Sequence, residues 1–240
     1  MKVGIISQAR MTSTRLPGKV LLPINHQPVL QYHLERLAQS GYPVYLAITG
    51  NKADDTLAAY GLEHHIPVYR GEEQNVLNRY YEAARAFNLD IIVRVTSDCP
   101  LIDGNLIRQA IQEYQIHQDS RIYLSNCLER TFPRGFDFEI FSFALLEEAF
   151  QQATTAGDQE HVTPYINQNK SGQVRFRHFT QPVDKSMYRV TLDTPEDFEL
   201  IRILIADYQA HQLSARQICQ LLDAHPELAR INAIVEQQKA

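Results

Sequence analysis

Three cations lie close together near the start of the sequence. Residues 9–19 read Ala-Arg-Met-Thr-Ser-Thr-Arg-Leu-Pro-Gly-Lys, which places Arg10, Arg15 and Lys19 within ten positions. The proline stiffens the turn, and the glycine allows a ligand to approach the backbone closely. Cations, hydroxyl groups and free amides suit a polyphosphate, although the spacing differs from that of a Walker loop. The alternative is a basic loop that faces solvent.

Two aspartates that follow apolar runs are candidate metal ligands. Asp98 follows the run at 91–96, and Asp193 follows the run at 188–192. Mg²⁺ binds through one or two carboxylates, while phosphate oxygens and water complete its shell. We expect both aspartates to bind Mg²⁺, and we expect removal of either charge to leave the stability of the metal-free protein unchanged or slightly higher, because two facing carboxylates repel. The alternative for Asp98 is that it caps the turn ahead of Pro100.

The residues after Asp193 have a structural explanation. Thr194 is a good N-cap, Pro195 fits the first helical position, and Asp197 completes the pattern of a capping box. Asp193 is not needed for this cap, so its carboxylate is available to a metal ion.

Apolar runs alternate with amphipathic segments over the first hundred residues. Strands are predicted at 3–7, 44–49, 68–70 and 91–96, and helices at 28–38, 54–64 and 76–87. This alternation predicts an α/β fold, a Rossmann-like three-layer α/β/α sandwich with a mostly parallel sheet. Ligands bind at the carboxyl ends of such strands, so the loops after Ser7 and Thr96 should share one crevice.

The regular alternation of predicted strands and helices ends at about residue 120. Strands are predicted at 122–125, 137–141, 174–179 and 188–192, and helices at 144–153, 161–167, 195–205, 214–224 and from 226 onward. We find no internal repeat or linker. The sequence therefore predicts one domain over residues 1–240, with a small mixed α+β insert at about 121–179 and a helical tail at about 206–240.

The composition excludes several classes of protein. The chain has 240 residues, 44% of them hydrophobic, and a formal net charge of −5, which argues against broad nucleic-acid binding. Cys99, Cys127 and Cys219 are an odd number without metal-ligand spacing, as in proteins of a reducing compartment. No run has the length of a signal peptide or the roughly 20 apolar residues of a membrane span. We therefore expect a cytoplasmic protein that does not enter a membrane.

Several segments carry a resemblance to a known family. Residues 9–19, read as Ala-Arg-x-x-Ser-x-Arg-Leu-Pro-Gly-Lys, closely resemble the opening motif of the bacterial sugar-acid cytidylyltransferases. The segments around Asp98 and Asp193 resemble the two magnesium-binding segments of that family. Residues 94–103, 130–139 and 160–165 more closely resemble the branch called spore coat polysaccharide biosynthesis protein F. The resemblance implies a fold of the nucleotide-diphospho-sugar transferase type.

The resemblance also implies a site for CTP in the first loop. The main chain around Ala9 would hold the cytosine, and Arg94 is assigned to the same nucleotide site. The triphosphate would be bound by the side chains of Arg10, Ser13, Arg15 and Lys19. A sugar hydroxyl or carboxylate would attack the α-phosphorus, and pyrophosphate would leave without a covalent protein intermediate. The predicted catalytic residues are Arg10, Lys19 and Asp98.

The acceptor side of the site is less explicit in the sequence. The candidate residues are Arg134, Asp137, Glu139, Glu160 and His161. Arg134 lies between a proline and a glycine, where it could present its planar fork to an acidic sugar. Asp137 and Glu139 are two apart and could bind hydroxyl groups, or one could act as a base. The alternatives are that these carboxylates form the solvent-facing side of a strand and that His161 begins a helix.

Two other functions are compatible with parts of this pattern. A glycosyltransferase would use a ready-made nucleotide sugar, but such enzymes usually carry Asp-x-Asp at the metal, whereas Asp98 is followed by Cys-Pro. A nucleotide-binding regulator without catalysis would not need the full set of cations and carboxylates. The sequence names neither the acceptor nor the nucleotide. We also expect a homodimer, because the insert offers surface that one small sheet does not fully bury.

Overall fold

A seven-stranded β-sheet forms the centre of the computed structural model, which describes residues 1–235. The strands in chain order are β1 (Val3–Gln8), β2 (Pro23–Ile24), β3 (Gln27–Pro28), β4 (Val44–Thr49), β5 (Val68–Gly71), β6 (Ile91–Thr96), β7 (Ile122–Ser125), β8 (Glu139–Ser142) and β9 (Arg175–His178). Seven of these strands form this sheet, and the two short strands, β2 and β3, lie outside it. The helices are α1 (Val29–Ala38), α2 (Asp55–Glu63), α3 (Val76–Ala86), α4 (Gly104–Ile116), α5 (Phe143–Gln152), α6 (Ala156–His161), α7 (Pro164–Asn167), α8 (Pro195–Ala206), α9 (Ala215–Ala224) and α10 (Pro226–Arg230).

The sheet is parallel except for one strand. Its order is β5-β4-β1-β6-β8-β7-β9, and only β8 runs antiparallel to its two neighbours. The three strands of the predicted insert, β7, β8 and β9, extend this same sheet. The short strands β2 and β3 pair separately.

Helices cover both faces of the sheet. Ile6 packs on one face with Tyr80 of α3, whereas the adjacent Ile5 packs on the other face with Leu37 of α1 and Ile107 of α4. Full burial of each such apolar side chain stabilises the fold by roughly 1.5–3 kcal/mol. The three-layer α/β/α sandwich predicted from the sequence is thereby confirmed.

Most predicted elements are found within one or two residues of their expected bounds, but three predictions need correction and one helix was not predicted. Helix α4 was not anticipated, although Ile107 and Ala110 begin an apolar spacing that is typical of a helix. Residues 188–192 form no strand and make only one isolated bridge, from Arg189 to Arg134. The helix expected at 161–167 is two short helices, and Asp137 lies outside β8.

The predicted helical tail packs on the rest of the domain over its described residues, 206–235, and the last five residues of that prediction lie outside the described range. The capping box predicted at the start of α8 is present. Ile218 and Leu222 of α9 and Leu228 of α10 are buried in one cluster with Leu192 and Leu204. The region that the sequence marks only as a helical tail is therefore part of a core. Within residues 1–235, no helix combines the length and apolar character needed to cross a bilayer.

Candidate functional site

A cavity of about 720 Å³ lies at the carboxyl ends of the central parallel strands. Strands β1 and β6 end side by side, with Gln8 paired to Thr96, so the loops that follow them converge. The predicted crevice between these loops is confirmed. The nucleotide and metal candidates that line it are Ala9, Arg10, Ser13, Arg15, Lys19, Asp98 and Asp193.

The basic loop is held in place by carboxylates outside its own sequence. The Met11 amide donates to Asp54 Oδ1 at 2.8 Å, and the Thr12 hydroxyl donates to Glu73 Oε1 at 2.5 Å. Gly18 has a φ of 69°, in the left-handed region that favours glycine, and its amide donates to the Met11 carbonyl. The loop is thus fixed at both ends before any ligand binds.

Lys19 lies between the two predicted metal ligands. Its Nζ is 2.6 Å from Asp98 Oδ2 and 2.7 Å from Asp193 Oδ1, and it also donates to the Leu192 carbonyl at 2.8 Å. The amide of Leu192 donates to the Asp98 carbonyl, which joins the two aspartate loops. Residues far apart in sequence therefore meet at one ammonium group.

The charges of this cluster stabilise one another. Burial alone would lower the pKa of Lys19, but the carboxylates of Asp98 and Asp193 outweigh burial and raise it above its ordinary value. Burial alone would raise the pKa of Asp98, but the Lys19 ammonium lowers it to about 2. Both groups are therefore charged at neutral pH.

Asp193 is the more heavily paired of the two carboxylates. Besides Lys19, it contacts Arg15, with Nη2 3.2 Å from Oδ2, and Arg189, with Nη2 2.8 Å from Oδ2. The mutual repulsion expected from the sequence is therefore offset by three cations. The sequence-based expectation that removing the charge of Asp98 or Asp193 would be neutral or stabilising assumed unbalanced repulsion between the two carboxylates, and that assumption is wrong.

The oxygen donors around Lys19 fit the chemistry of Mg²⁺. Carboxylate oxygens of Asp98 and Asp193 converge on one cation, and hard oxygen donors are the ligands that Mg²⁺ takes. Within residues 1–235, no group of three or more His, Cys, Asp or Glu side chains could form an all-protein metal cage. A magnesium ion held here would need phosphate oxygens and water, and it would compete with Lys19 for the carboxylates.

A buried histidine supports the Asp98 loop, and the sequence analysis did not identify it. His33 Nε2 is 2.8 Å from the Ser7 hydroxyl, and Nδ1 is 2.9 Å from the Cys99 carbonyl. Since the carbonyl only accepts, Nδ1 carries the proton and Nε2 accepts from Ser7. Ser7 Oγ also lies 2.7 Å from Ser97 Oγ. Complete burial lowers the pKa of His33 to about 4, so the ring is neutral.

Two predicted site residues form an ion pair with each other and do not line the cavity. They are Arg94, predicted to bind the nucleotide, and Glu139, predicted to bind the acceptor. The Glu139 carboxylate also accepts from the hydroxyls of Tyr123 and Thr163. Glu139 is 5% exposed, so the interpretation of a solvent-facing strand is also wrong. The physical reason is that a buried carboxylate is stable only when its oxygens are paired.

The remaining acceptor candidates divide between two places. Glu160 and His161 line the main cavity. Asp137 does not, because Arg130 holds its carboxylate with two hydrogen bonds of 2.6 and 2.9 Å. Arg134 lines a separate pocket of about 230 Å³ near the end of the chain. The structure thus does not assemble the five predicted acceptor residues into one site.

A third loop contributes to the cavity and was missed by the sequence analysis. The residues after β5 and at the start of α3 line one wall, namely Glu72, Glu73, Gln74, Asn75, Val76 and Arg79. This loop could have been predicted from the sequence, because it directly follows the strand predicted at 68–70. The rule that places ligands at the carboxyl ends of parallel strands also applies to the loop after it.

Comparisons relate the chain to proteins of a known family. The family model described as Cytidylyltransferase matches residues 3–224. The spore coat polysaccharide biosynthesis protein SpsF of Bacillus subtilis is 32% identical over 233 residues, which cover 93% of this chain and 95% of that protein. A solved cytidylyltransferase from Leptospira borgpetersenii is 35% identical and has a TM-score of 0.91, and the match covers 100% of this chain and 99% of that chain.

A more distant structure shares the fold. The structure of CMP:2-keto-3-deoxy-manno-octonic acid synthetase complexed with CTP has a TM-score of 0.63 at 18% identity. The match covers 87% of this chain and 100% of that chain. At this identity the likeness concerns the arrangement of strands and helices.

Proposed function

The chain belongs to the cytidylyltransferase family, and we propose that it transfers a cytidylyl group from CTP to a sugar or sugar acid with release of pyrophosphate. The observation that carries this proposal is the junction of Lys19 with Asp98 and Asp193 beside a basic loop in one cavity. Such a junction suits a polyphosphate and its counter-cation. The names of two similar proteins, one a spore coat polysaccharide biosynthesis protein and the other a synthetase complexed with CTP, support the same chemistry.

The basic loop would bind and orient the triphosphate. Arg10, Ser13 and Arg15 line the cavity, where the two arginines would neutralise the β- and γ-phosphates of the leaving pyrophosphate and the Ser13 hydroxyl would donate to a phosphate oxygen. Lys19 would turn from the carboxylates towards phosphate when the metal binds. The buried main chain at Ala9 is the proposed support for the cytosine. Arg94 is left out of this set because it is paired with Glu139.

Asp98 and Asp193 would hold Mg²⁺, with Arg15 and Arg189 offsetting the charge of Asp193. When bound, Mg²⁺ neutralises phosphate charge and aligns the α-phosphate for in-line attack. The acceptor oxygen forms a new bond to the α-phosphorus while the bond to the β-phosphate bridging oxygen breaks. Transfer of this kind depends on positioning and charge neutralisation.

The acceptor would enter beside Glu160 and His161, which line the same cavity as the basic loop. If an acceptor hydroxyl attacks, its proton must pass to a base, and these two side chains are the candidates. If a carboxylate attacks, no base is required, and Glu160 and His161 would bind hydroxyl groups instead. The acceptor class is therefore proposed as a sugar or sugar acid without a finer name.

We further propose a cytoplasmic homodimer. The odd number of cysteines, without metal-ligand spacing, supports a reducing compartment. Light scattering should report twice the monomer mass of 27.6 kDa at micromolar concentration.

The decisive experiment is a screen for pyrophosphate release. Each of the four nucleoside triphosphates is combined with Mg²⁺ and a panel of sugar acids, amino sugars and polyols. We expect release with CTP and at least one acceptor, and none with Asp98→Asn. Equal release with UTP or GTP would reject the cytidine assignment, and transfer of a sugar from a nucleotide sugar would support a glycosyltransferase instead.

A further inference from the structure

The last described turn of the chain reaches a buried position next to the predicted metal site. Asn232 follows α10 and is 4% exposed. Its Nδ2 donates to Asp197 Oδ1 at 2.8 Å and to the Arg189 carbonyl at 3.1 Å. A side chain from the C-terminal region therefore contacts both the first turn of α8 and the segment before Asp193.

Asp197 is the centre of this arrangement. It is fully buried, and its carboxylate accepts from Arg189 Nε at 2.8 Å and from Arg189 Nη2 at 2.9 Å. Its Oδ2 also accepts from the amides of Asp193 and Thr194. The capping box explains only the bond to Thr194. The remaining bonds fix the backbone of Asp193 and the guanidinium of Arg189.

Arg189 connects this buried centre to the cavity. Its Nη2 donates to Asp193 Oδ2 at 2.8 Å and to Asp197 Oδ2 at 2.9 Å. One planar group is thus shared between a carboxylate inside the fold and a carboxylate that lines the cavity. A planar guanidinium transmits orientation well, because its donors keep a fixed geometry.

We propose that Asn232 and Arg189 are positioning residues that hold the Asp193 carboxylate in the orientation needed to bind the metal. The inference rests on the proposed function, in which Asp193 is a ligand of Mg²⁺. Groups that hydrogen-bond to metal ligands set the orientation and affinity of those ligands. Asn232 acts on the Asp193 side chain indirectly, through Asp197 and Arg189. Helices α9 and α10 precede Asn232 in the chain and place it next to Asp197.

The burial of the helical tail gives this role a physical basis. Ile218, Leu222 and Leu228 pack in the same apolar cluster as Leu192, the residue before Asp193. The described part of the tail and the loop that carries Asp193 therefore share one apolar core. Without a role at the site, Asn232 would affect only the stability of the fold.

The test measures how strongly a metal ion improves CTP binding to the full-length protein. Calorimetry gives the Kd of CTP with and without Mn²⁺. The metal-free Kd divided by the Kd with Mn²⁺ reports how much the metal strengthens CTP binding, and it requires no catalysis. We expect Asn232→Ala or the milder Asn232→Ser to lower this ratio about three- to tenfold, and Arg189→Lys to lower it by about tenfold or more. The metal-free Kd of CTP should stay within about twofold.

Asn126→Ala is the matched control. Asn126 is also buried, and its side-chain amide donates to the Phe136 carbonyl at 2.8 Å and accepts from the Phe138 amide at 2.9 Å, so these hydrogen bonds involve none of Arg189, Asp193 and Asp197. It should lower the melting temperature without changing the ratio. If Asn232→Ser and Arg189→Lys keep the wild-type ratio while Asp193→Asn abolishes it, the positioning role is rejected and the metal site stands. If Mn²⁺ does not strengthen CTP binding even to the wild type, the proposed metal site fails first, and this inference falls with it.

Discussion

Lys19 and Asp193, which are 174 positions apart in the sequence, form an ion pair with 2.7 Å between Nζ and Oδ1. The same ammonium contacts Asp98, so it occupies the place between the two carboxylates at which a divalent cation would be bound. If Asp98 and Asp193 bind Mg²⁺ as proposed, Lys19 and the metal would compete for the same oxygens. This competition would link the stability of the metal-free protein to its affinity for Mg²⁺.

Replacement of Lys19 should make the protein depend on magnesium for stability. Lys19→Met removes the ammonium from between Asp98 and Asp193, and we expect a loss of about 2–3 kcal/mol in the free energy of unfolding. Millimolar Mg²⁺ should restore more stability to the variant than it adds to the wild type, because the ion no longer displaces a lysine. Transfer activity should fall steeply. Thermal melts with and without Mg²⁺ measure the effect.

A second lysine provides the control for this experiment. Lys170 Nζ holds Asp158 with contacts of 2.5 and 2.7 Å, and neither residue lines the cavity. Lys170→Met should also destabilise the protein, but Mg²⁺ should not rescue it beyond the wild-type effect. Equal rescue of both variants would show that the ion acts elsewhere.

The two aspartates should differ in their contribution to stability. Asp193→Asn leaves Lys19, Arg15 and Arg189 without their shared anion, whereas Asp98→Asn affects mainly Lys19. We expect Asp193→Asn to cost about 2–4 kcal/mol and Asp98→Asn less. Denaturant titrations of the metal-free variants give the two values. A gain in stability from either substitution would instead support the repulsion that the sequence alone suggests.

The parts of the site that follow from strand order could be predicted from the sequence. The alternation of strands and helices predicts a parallel sheet, and the loops after the carboxyl ends of parallel strands lie at the same edge of that sheet, as the loops after β1 and β6 do. The pairing of Arg94 with Glu139 could not be predicted, because it depends on β8 entering the sheet next to β6 in antiparallel register. Arg94 was therefore predicted to bind the nucleotide, and Glu139 to bind the acceptor or face solvent, whereas the two form a buried ion pair.

Segments without regular structure were the other source of error. Residues 188–192 have the apolar composition of a strand, but they run beside the Asp98 loop and are held by side chains from Asn232 and Lys19. These contacts come from opposite ends of the chain. Local pattern carries no information about such contacts, so the support of Asp193 became visible only in the folded structure.

The neutral His33 should make stability fall at mildly acidic pH. Its pKa is lowered from 6.5 to about 4 in the folded protein. Between these values the unfolded chain takes up a proton that the folded protein does not, so stability is lost as pH falls from about 6.5 and the loss is complete near pH 4. The difference corresponds to about 3 kcal/mol. Denaturant titrations across this range measure the slope.

The contribution of His33 can be separated from that of other groups. His33→Gln should be less stable at neutral pH but should flatten the slope between pH 6.5 and 4. His117→Gln, at an exposed position, should keep the wild-type slope. The pKa of Asp98, lowered to about 2, adds a second loss only below its ordinary value of 3.8. A wild-type slope in His33→Gln would assign the pH dependence to another residue.

The acceptor residues can be tested by comparing Glu160 with Arg134. Glu160 lines the main cavity, so we expect Glu160→Gln to lower kcat/KM for the acceptor by about tenfold or more while the Kd of CTP stays within a few-fold. Steady-state kinetics with the acceptor found in the pyrophosphate screen gives the first quantity, and calorimetry gives the second. A selective loss of CTP affinity would place Glu160 at the nucleotide instead.

Arg134→Ala should leave both quantities unchanged, in contrast to the role that the sequence suggests. The turn around Arg134 does hold the residue in a defined place, since its amide donates to the Tyr188 carbonyl and its carbonyl accepts from Val190. That place is the smaller pocket beside Asn232, whereas the residues proposed to bind the triphosphate and the metal line the larger cavity. If Arg134→Ala instead raises KM for the acceptor without changing CTP affinity, the acceptor must extend from Glu160 into the smaller pocket. The two cavities would then form one continuous site in the working enzyme.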